Sequence, residues 1–503
     1  MPSRLRSLVR KKLPDYVGPC AFRKLPGGYL LTNDWGRHHW LSPGEFERYF
    51  SGRLAKGSAS WRELRDKGFL RDRLDFPALA GSYARKNAFL WSGPRLHIAV
   101  LTLRCNHRCA YCQASAAGPK GAGRDMTEDT ARRVTEYVFE SPAQELTIEF
   151  QGGEPLMNWR ALETIVRYGG ELAAASGRKL RLALVSNLSL LDDRRLEFLM
   201  EHKVSVCTSL DGPAALHDRN RPYPGGSGHA VVERWLRTMA RRYPDRAAER
   251  HPRPNALLTV TRRSLPLAEE IVDEYARLGL PGIFVRPLTP IGTARRSRAI
   301  IGYSTAEFLE FYGRCLDRVL ELNRAGTPLR ERGAAMLLTK ILKGWDPGYT
   351  DLRSPCGAGL GQLAYNYDGD IYTCDEGRML SEEGDRLFRL GSVFDTPYER
   401  ALRHPTVKAC AVASHLEDQP VCSGCAYKPF CGVCPVYNYV TQDTIWGRMP
   451  TSERCALYKG VFDLIFERLR DPGTRRIFED WARGPASGGA DGADENHGEP
   501  HAG

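Results

Sequence analysis

The chain has 503 residues, of which 42% are apolar, and its formal net charge is +12. No apolar run approaches the roughly 18–20 residues that span a bilayer, and the basic start Met1–Gly18 lacks the apolar core and cleavage site of a secretory signal, so we expect a cytoplasmic protein with no membrane partner. The positive charge is explained either by arginine on solvated helix faces or by attraction to an acidic partner, such as a peptide leader or an electron carrier. Because the basic residues are scattered and no recognised nucleic-acid-binding motif accompanies them, we predict no nucleic-acid partner.

Residues 1–92 are predicted to form an N-terminal peptide-recognition-like module. The apolar run Tyr29–Asn33 is followed by a turn-like break, and a helix is predicted to begin at Ser42-Pro43 with Ser42 as its cap. A second short helix is predicted over Trp61–Lys67. A small strand pair followed by helices indicates a compact winged-helix-like module.

From residue 93 to residue 325, short apolar strands alternate with longer amphipathic helices. Strands are predicted at Leu96–Leu103, Leu146–Phe150, Leu180–Ser186, Val204–Ser209, Ala256–Thr261 and Ile283–Leu288. Helices are predicted at Thr127–Phe139, Trp159–Ser176, Asp192–His202, Ala230–Arg242, Leu265–Gly279 and Thr305–Asn323. This alternation predicts an α/β fold with a parallel sheet, and the six units predict a partial (β/α)6 barrel whose functional residues lie beyond the carboxyl ends of the strands.

The remainder of the chain is predicted to contain four segments. Residues 326–350 are assigned to a linker, 351–460 to a cysteine-rich domain, 461–483 to a C-terminal helix and 484–503 to a disordered tail. The cysteine-rich domain shows little periodicity, so we expect bound metal rather than a large apolar core to hold it together. The chain has fourteen cysteines, a number that favours metal ligation over disulfides in a reducing compartment.

Three cysteines follow the first predicted strand in one short loop, at Cys105, Cys109 and Cys112. Three thiolates can hold three irons of a four-iron cluster, and the remaining iron is then free to bind an amine and a carboxylate. A zinc site is the alternative, but zinc prefers a closed set of four ligands, and His107 is the only fourth candidate at ordinary spacing.

The spacing of these cysteines, with Tyr111 just before the third, resembles the radical S-adenosylmethionine (radical SAM) superfamily. The resemblance implies reductive cleavage of SAM to a 5′-deoxyadenosyl radical, which abstracts hydrogen from the substrate. It also implies that residues at successive strand ends contact SAM, with glycines that permit close backbone approach. These residues are Tyr111 near the adenine, Gly152, Gly153 and Glu154 at the amine, Ser186 and Asn187 at the ribose, and Ser209 and Arg221 at the carboxylate.

A second set of cysteines resembles the SPASM domain, which holds two auxiliary four-iron clusters. The resemblance implies that Cys356, Cys374 and Cys434 bind the first auxiliary cluster and that Cys422, Cys425, Cys431 and Cys455 bind the second. This chain has only two residues between Cys431 and Cys434, where the family usually has three. It also lacks a cysteine a few residues after Cys356, so we expect the first auxiliary cluster to have an open iron.

The cofactors implied are therefore SAM and three [4Fe-4S] clusters. A pair of zinc-binding knuckles is the alternative for the second set, because paired Cys-x-x-Cys motifs often bind zinc. Asp375 follows Cys374 directly, and the resemblance to anaerobic sulfatase maturases implies that it acts as a base after hydrogen abstraction. Four further cysteines have no partner at ligand spacing, namely Cys20, Cys207, Cys315 and Cys410.

The leading functional hypothesis is a maturase of a ribosomally made peptide. Residues 1–92 resemble leader-binding modules, in which a peptide adds a strand to an exposed sheet edge, and most resemble those of the His-Xaa-Ser peptide system. The expected partners are a peptide or protein substrate with a leader and a flavodoxin- or ferredoxin-type electron donor. The alternatives are an anaerobic sulfatase-maturating enzyme that converts Cys or Ser to formylglycine, and a non-catalytic zinc-binding interaction module.

Overall fold

A computed structural model describes residues 13–244 and 253–482. The expected disordered tail at 484–503 and the first twelve residues of the basic start lie outside the described residues. In the part of the chain that the structure describes, no helix is both long and apolar enough to cross a membrane.

The N-terminal module contains three antiparallel strands in the order β1-β2-β3, so the predicted strand pair is one strand short. The strands are β1 (Ala21–Leu25), β2 (Gly28–Thr32) and β3 (His38–Leu41), and the helices are α1 (Pro43–Ser51), α2 (Ala59–Asp66), α3 (Phe76–Lys86) and α4 (Phe89–Ser92). Of the three strands, only β2 coincides with the apolar run Tyr29–Asn33 that the sequence indicated. Strand β3 is short and begins with two histidines, so it has no apolar alternation. Ser42 caps α1 and forms a capping box with Glu45, which confirms the predicted helix start.

The barrel strands form a parallel sheet, which confirms the predicted α/β fold. The strands are β4 (Leu96–Thr102), β5 (Glu145–Gly152), β6 (Lys179–Ser186), β7 (Ser205–Ser209), β8 (Asn255–Thr259), β9 (Gly282–Ile283) and β10 (Val285–Arg286). The helices are α5 (Glu128–Phe139), α6 (Trp159–Ser176), α7 (Asp193–Glu201), α8 (Ala214–Asn220), α9 (Gly228–Arg242), α10 (Ala268–Arg277), α11 (Thr293–Arg296), α12 (Arg298–Ile301) and α13 (Thr305–Arg324). Strands β4 to β8 and β10 are neighbours in chain order, and their apolar side chains form the main core with the helices packed around them.

The sixth barrel strand is not the continuous strand that the apolar run Ile283–Leu288 predicted. It is divided into β9 and β10, because the two halves pair with different partners. Strand β10 pairs with β8, whereas β9 pairs with β11 (Arg330–Glu331). A local apolar run gives no information about such a change of partner.

Residues 326–350 were predicted to be a linker. In the structure they contain strand β11 and helix α14 (Arg332–Leu338). Glu331 is fully buried and accepts hydrogen bonds from the Ala334 amide in the first turn of α14 and from the Tyr312 hydroxyl at 2.6 Å. It also accepts from the Val285 amide at 3.2 Å, so one carboxylate joins β10, α13 and α14. The segment is therefore part of the barrel wall.

The cysteine-rich region extends the barrel sheet, and several of its apolar side chains belong to the main core, whereas little apolar core was expected there. Its elements are β12 (Gln362–Tyr365), β13 (Asp370–Tyr372), β14 (Arg389–Ser392), α15 (Asp375–Ser381), α16 (Tyr398–Leu402), α17 (Pro405–Ser414), α18 (Pro435–Gln442), α19 (Glu453–Arg468) and α20 (Pro472–Ala482). Strand β12 pairs in parallel with β4, and Tyr365 of β12 bonds His97 of β4 at 2.9 Å. The predicted boundary at residue 460 falls inside α19.

We predict that Glu331→Ala lowers the free energy of unfolding by about 3 kcal/mol, because it leaves several buried donors without an acceptor. The anoxically purified protein should melt several degrees lower in a thermal scan. The matched control is Glu310→Ala, the same change at an exposed position of α13. Equal melting temperatures for the two variants would contradict the bridging role of Glu331.

Candidate active site

The three loop cysteines lie at the carboxyl end of β4, on a loop held by backbone hydrogen bonds. The Cys105 amide donates to Ala117 at 2.9 Å, and the Ala110 amide donates to Asn220 at 2.8 Å. Burial raises the pKa of the Cys105 thiol to about 12 and that of Cys109 to about 11. Thiolates at these positions therefore need a bound cation to hold them in the charged form.

The spacing of the cysteine sulfurs distinguishes between one metal ion and a cluster. Across residues 13–244 and 253–482, no three cysteine sulfurs lie within 4.8 Å of one another. Thiolates around a single tetrahedral zinc at about 2.3 Å would lie about 3.8 Å apart. The sulfurs of Cys105, Cys109 and Cys112 therefore do not lie at the spacing of zinc ligands, whereas a four-iron cluster takes thiolates that lie farther apart.

The two glycines after β5 bring this segment directly against the cysteine loop. A Cβ on Gly152 would lie 2.1 Å from the Thr102 oxygen, and a Cβ on Gly153 would lie 2.2 Å from the Arg104 oxygen. The Gly153 and Glu154 amides donate to those same two oxygens, each at 2.8 Å. No side chain fits in this contact, so the glycines are required for the close approach of the two strand ends.

The Glu154 carboxylate joins the ends of β5 and β6. It is buried and accepts from the Ser186 hydroxyl at 2.7 Å, the Asn187 amide at 2.8 Å and the Leu156 amide at 3.0 Å. The Asn187 side chain in turn bonds Asn106 of the cysteine loop at 3.1 Å. The structure therefore brings Glu154, Ser186 and Asn187 together. The hydrogen bonds of Glu154 hold the ends of β5 and β6 in place.

A second buried network lies behind the loop and contains one residue that the sequence motifs did not indicate. The Tyr111 hydroxyl donates to Asp211 at 2.7 Å and accepts from Arg221 at 2.8 Å. Ser209 ends β7, two residues before Asp211, and is also buried. Burial raises the pKa of Asp211, and the positive charge of the nearby Arg221 offsets only part of this shift.

Arg221 has a donor available for a ligand. It follows helix α8, and its Nε is buried with no hydrogen-bond partner among the described residues. A buried guanidinium donor without a partner is costly, and a ligand carboxylate would satisfy it. The geometry thus fits the predicted contact with a carboxylate.

The structure collects the remaining seven predicted cysteines into two groups. Cys356, Cys374 and Cys434 are buried in one apolar cluster with Ile291 and Phe388. The second group lines a small cavity and consists of Cys422, Cys425, Cys431 and Cys455.

Two cysteines of the first group lie at helix N-termini. Cys374 caps α15 and accepts from the Gly377 amide at 3.4 Å, and Cys434 caps α18 and accepts from the Tyr437 amide at 3.4 Å. Burial raises the pKa of both thiols, and the Gly377 amide offsets part of this effect at Cys374, so a bound cation would be needed to hold the two thiolates.

A cavity of about 90 Å³ lies between the barrel and the cysteine-rich region. Its lining includes Phe284, Arg286, Tyr349, Asp351, Glu376, Cys434, Arg454 and Tyr458. Arg454 bonds Asp351 at 3.2 Å, and its Nε is buried without a partner in the described part of the chain. The cavity is therefore mainly apolar, with aromatic side chains in its wall and a few charged groups that could orient a ligand.

Asp375 is buried and accepts two hydrogen bonds from the fully buried Arg378, at 2.7 and 3.0 Å. The neighbouring Glu376 lines the cavity. Its pKa is raised mainly by burial and further by the negative charges of Asp351 and Asp375. The proposed base role of Asp375 stays a prediction, and the geometry places Glu376 nearer to any ligand in the cavity.

The Radical SAM superfamily matches the chain over residues 99–247. An uncharacterized protein of Methanocaldococcus jannaschii is 30% identical over 194 residues, which span 38% of this chain and 62% of that protein, less than two thirds of its length. The serine-type anaerobic sulfatase-maturating enzyme of Klebsiella aerogenes is 26% identical over 347 residues, which span 66% of this chain and 77% of that enzyme.

Two solved structures share the fold. Native anSMEcpe with bound AdoMet superposes with a TM-score of 0.62 at 20% identity, over 76% of this chain and 100% of that one. Streptococcus suis SuiB bound to the precursor peptide SuiA superposes with a TM-score of 0.51 at 13% identity, over 87% of this chain and 98% of SuiB.

We predict that Gly153→Ala separates the Gly-Gly-Glu segment from the cysteine loop, because the new methyl group collides with the Arg104 oxygen. SAM affinity should fall about tenfold or more, a loss of about 1.4 kcal/mol or more. Equilibrium binding to the anoxically reconstituted protein measures this. Gly170→Ala, at an open position in α6, is the matched control, and equal affinities for the two variants would refute the role of the close approach.

Proposed function

We propose that this chain, a radical SAM enzyme, is a maturase that modifies a ribosomally made peptide after translation. The observation that carries the proposal is the arrangement of three separate cysteine groups, none of which has three sulfurs within 4.8 Å of one another, with two of the groups bordering cavities. When bound, the reduced cluster and SAM supply the 5′-deoxyadenosyl radical that abstracts hydrogen from the substrate.

In this proposal Cys105, Cys109 and Cys112 hold the SAM-binding cluster. The unpartnered Nε of Arg221 binds the SAM carboxylate, and Ser209 lies at the end of the neighbouring strand. Tyr111 fixes Arg221 through its hydroxyl, and Asp211 fixes Tyr111. The chain therefore holds the carboxylate with a guanidinium whose orientation is set before the ligand arrives.

The other SAM contacts fall on the strand ends that the Gly-Gly-Glu segment orders. Gly152 and Gly153 lie on the segment beside the SAM amine, which their contact with the cysteine loop holds in place, and Ser186 and Asn187 lie at the ribose. Glu154 holds Ser186 and the Asn187 backbone in place through the hydrogen bonds described above. Its own contact with the amine uses the lone pairs that those bonds leave free.

The other two cysteine groups are proposed to hold auxiliary [4Fe-4S] clusters. A non-catalytic zinc module would require four sulfur atoms about 3.8 Å apart, and the spacing of the described cysteines argues against it. The clusters would pass electrons between the substrate and a flavodoxin- or ferredoxin-type donor. This assignment makes three clusters in the chain.

The substrate site is proposed to be the cavity bordered by Cys434 and Glu376. Its volume of about 90 Å³ suits one side chain of a substrate. Aromatic walls at Phe284, Tyr349 and Tyr458 exclude water from the reacting carbon. A carboxylate there, Glu376 or the adjacent Asp375, would accept the proton that leaves during the modification.

The leader of the peptide is proposed to bind the open edge of β1. Strands β1 and β2 are joined by a two-residue turn with Leu25 and Gly28 as the closing pair, so the backbone groups of Phe22 and Lys24 point away from β2. In the described part of the chain no strand pairs with this edge. Both side chains are exposed, and Phe22 packs on Phe46 of α1, which offers an apolar contact beside the edge.

An anaerobic sulfatase-maturating activity is the second candidate. The similarity to the Klebsiella aerogenes enzyme supports it, because that similarity extends over most of both chains. The chemistry would be the same, and the client would be a Cys or Ser in a sulfatase. The two candidates differ in whether the β1 edge is used.

We predict that Cys109→Ala abolishes 5′-deoxyadenosine formation, because only two thiolates then remain for the SAM-binding cluster. Chromatography of anoxic reactions with dithionite and SAM measures the product. Cys315→Ala, a buried cysteine in α13, is the control and should retain the activity of the unmodified protein. Full product formation by Cys109→Ala would refute the assignment.

We predict that Lys24→Pro weakens binding of the leader about tenfold, because proline removes an outward-facing amide donor from β1. Lys24→Ala keeps the donor and should bind normally. Fluorescence anisotropy with a labelled small peptide encoded beside this protein measures affinity, and mass spectrometry measures modification. If the proline and alanine variants bind equally well, the leader does not add to this edge.

A further inference from the structure

We infer that Cys410 is the fourth protein ligand of the first auxiliary cluster, together with Cys356, Cys374 and Cys434. This inference rests on the proposed function, which places a cluster at these three residues. It replaces the expectation, drawn from the spacing of cysteines along the chain, that one iron of this cluster is open.

Cys410 lies on a face of α17 that is fixed against the loop carrying Cys356. Val407, Cys410 and Ser414 follow one another at intervals of three and four residues, so they share one face of the helix. At one end of this face, Val407 contacts Gly359, where an added Cβ would come within 2.7 Å of the valine. Both ends of the face thus meet the segment from Cys356 to Gly359.

Ser414 makes the connection at the other end. Its hydroxyl accepts from the Cys356 amide at 2.8 Å and donates to the Cys410 carbonyl at 2.6 Å. One hydroxyl therefore joins the backbones of both cysteines. Because this serine is itself fully buried, the link is shielded from water and holds the helix in register with the loop.

The four thiols lie in one buried region of the protein. Cys356, Cys374, Cys410 and Cys434 have exposed fractions of 1%, 3%, 1% and 4%, and all belong to the same packed cluster of side chains. The other unassigned cysteines lie elsewhere. Cys20 packs in the N-terminal module, Cys207 lies on β7, and Cys315 lies in the barrel core.

A buried cysteine often serves only as a small apolar side chain. The position of Cys410 distinguishes it from that case, because it shares its buried region with three thiols already proposed as ligands. No three sulfurs of this group lie within 4.8 Å of one another, as the ligands of a single ion would. Four thiolates complete the usual ligand set of a four-iron cluster.

Ligation by Cys410 forms one iron–sulfur bond and releases one thiol proton to solvent, with no change in oxidation state. The cluster is then closed to exogenous ligands. It can accept and pass electrons beside the cavity, but it cannot bind the substrate through iron. Substrate recognition is therefore left to the side chains that line the cavity.

The experiment uses the full chain in a background that lacks the SAM-binding cluster, with Cys105, Cys109 and Cys112 changed to alanine. This parent should hold about eight irons in two auxiliary clusters. Cys410→Ala, Cys410→Ser and the control Cys315→Ala are added to it separately. Each protein is oxidised mildly with ferricyanide and examined by electron paramagnetic resonance.

An iron without a protein thiolate is lost readily on oxidation and leaves a paramagnetic three-iron cluster. The inference predicts this signal in Cys410→Ala, several-fold above its level in the parent and in Cys315→Ala. Cys410→Ser should retain the iron through its oxygen and show an altered spectrum of the reduced cluster. The unchanged signal of the second auxiliary cluster reports correct folding in every variant.

If Cys410→Ala behaves like the parent, or if the parent already gives the three-iron signal, Cys410 is not a ligand and the proposed function still stands. If the parent binds zinc and no iron, the proposed auxiliary clusters fail as well. Mössbauer spectra of the unmodified protein add a check that needs no substitution, because an open iron in the first auxiliary cluster would give a distinct site.

Discussion

The close contact between the Gly-Gly-Glu segment and the cysteine loop is the constraint on which the site depends. Two backbone amides donate to the carbonyls of Thr102 and Arg104, and neither Gly152 nor Gly153 has room for a side chain there. The contact fixes the loop that carries the three thiols at the end of β4. It also sets the Glu154 carboxylate where it can order the end of β6.

The site also depends on the single sheet that joins the barrel to the cysteine-rich region. Strand β12 continues the barrel sheet next to β4, and the buried Tyr365–His97 hydrogen bond lies across that joint. This pairing holds Cys374 and Cys434 in fixed relation to the barrel. The cavity between the barrel and the cysteine-rich region thus has one wall from barrel residues such as Phe284 and another from the cysteine-rich region. Radical chemistry needs such rigid placement, because the target carbon must be held close to the radical.

Much of the fold and of the candidate site could be predicted from patterns that are local in the chain. The alternation of strands and helices predicted the parallel barrel, and motif residues at four strand ends came together as the barrel topology requires. The contacts that were missed link distant segments. Glu331 joins three elements, Asp211 fixes Tyr111, and Cys410 reaches the loop of Cys356 through a helix far along the chain. No spacing rule within one segment predicts such contacts.

The central claim is that three loop thiols hold a cluster with one iron free for SAM, and metal analysis with electron paramagnetic resonance tests it most directly. The anoxically purified protein, reduced with dithionite, should contain about twelve irons per chain, and adding SAM should change the signal of one cluster while the other two stay unchanged. A protein that holds one or two zinc ions, or whose spectrum is unaffected by SAM, would contradict the claim.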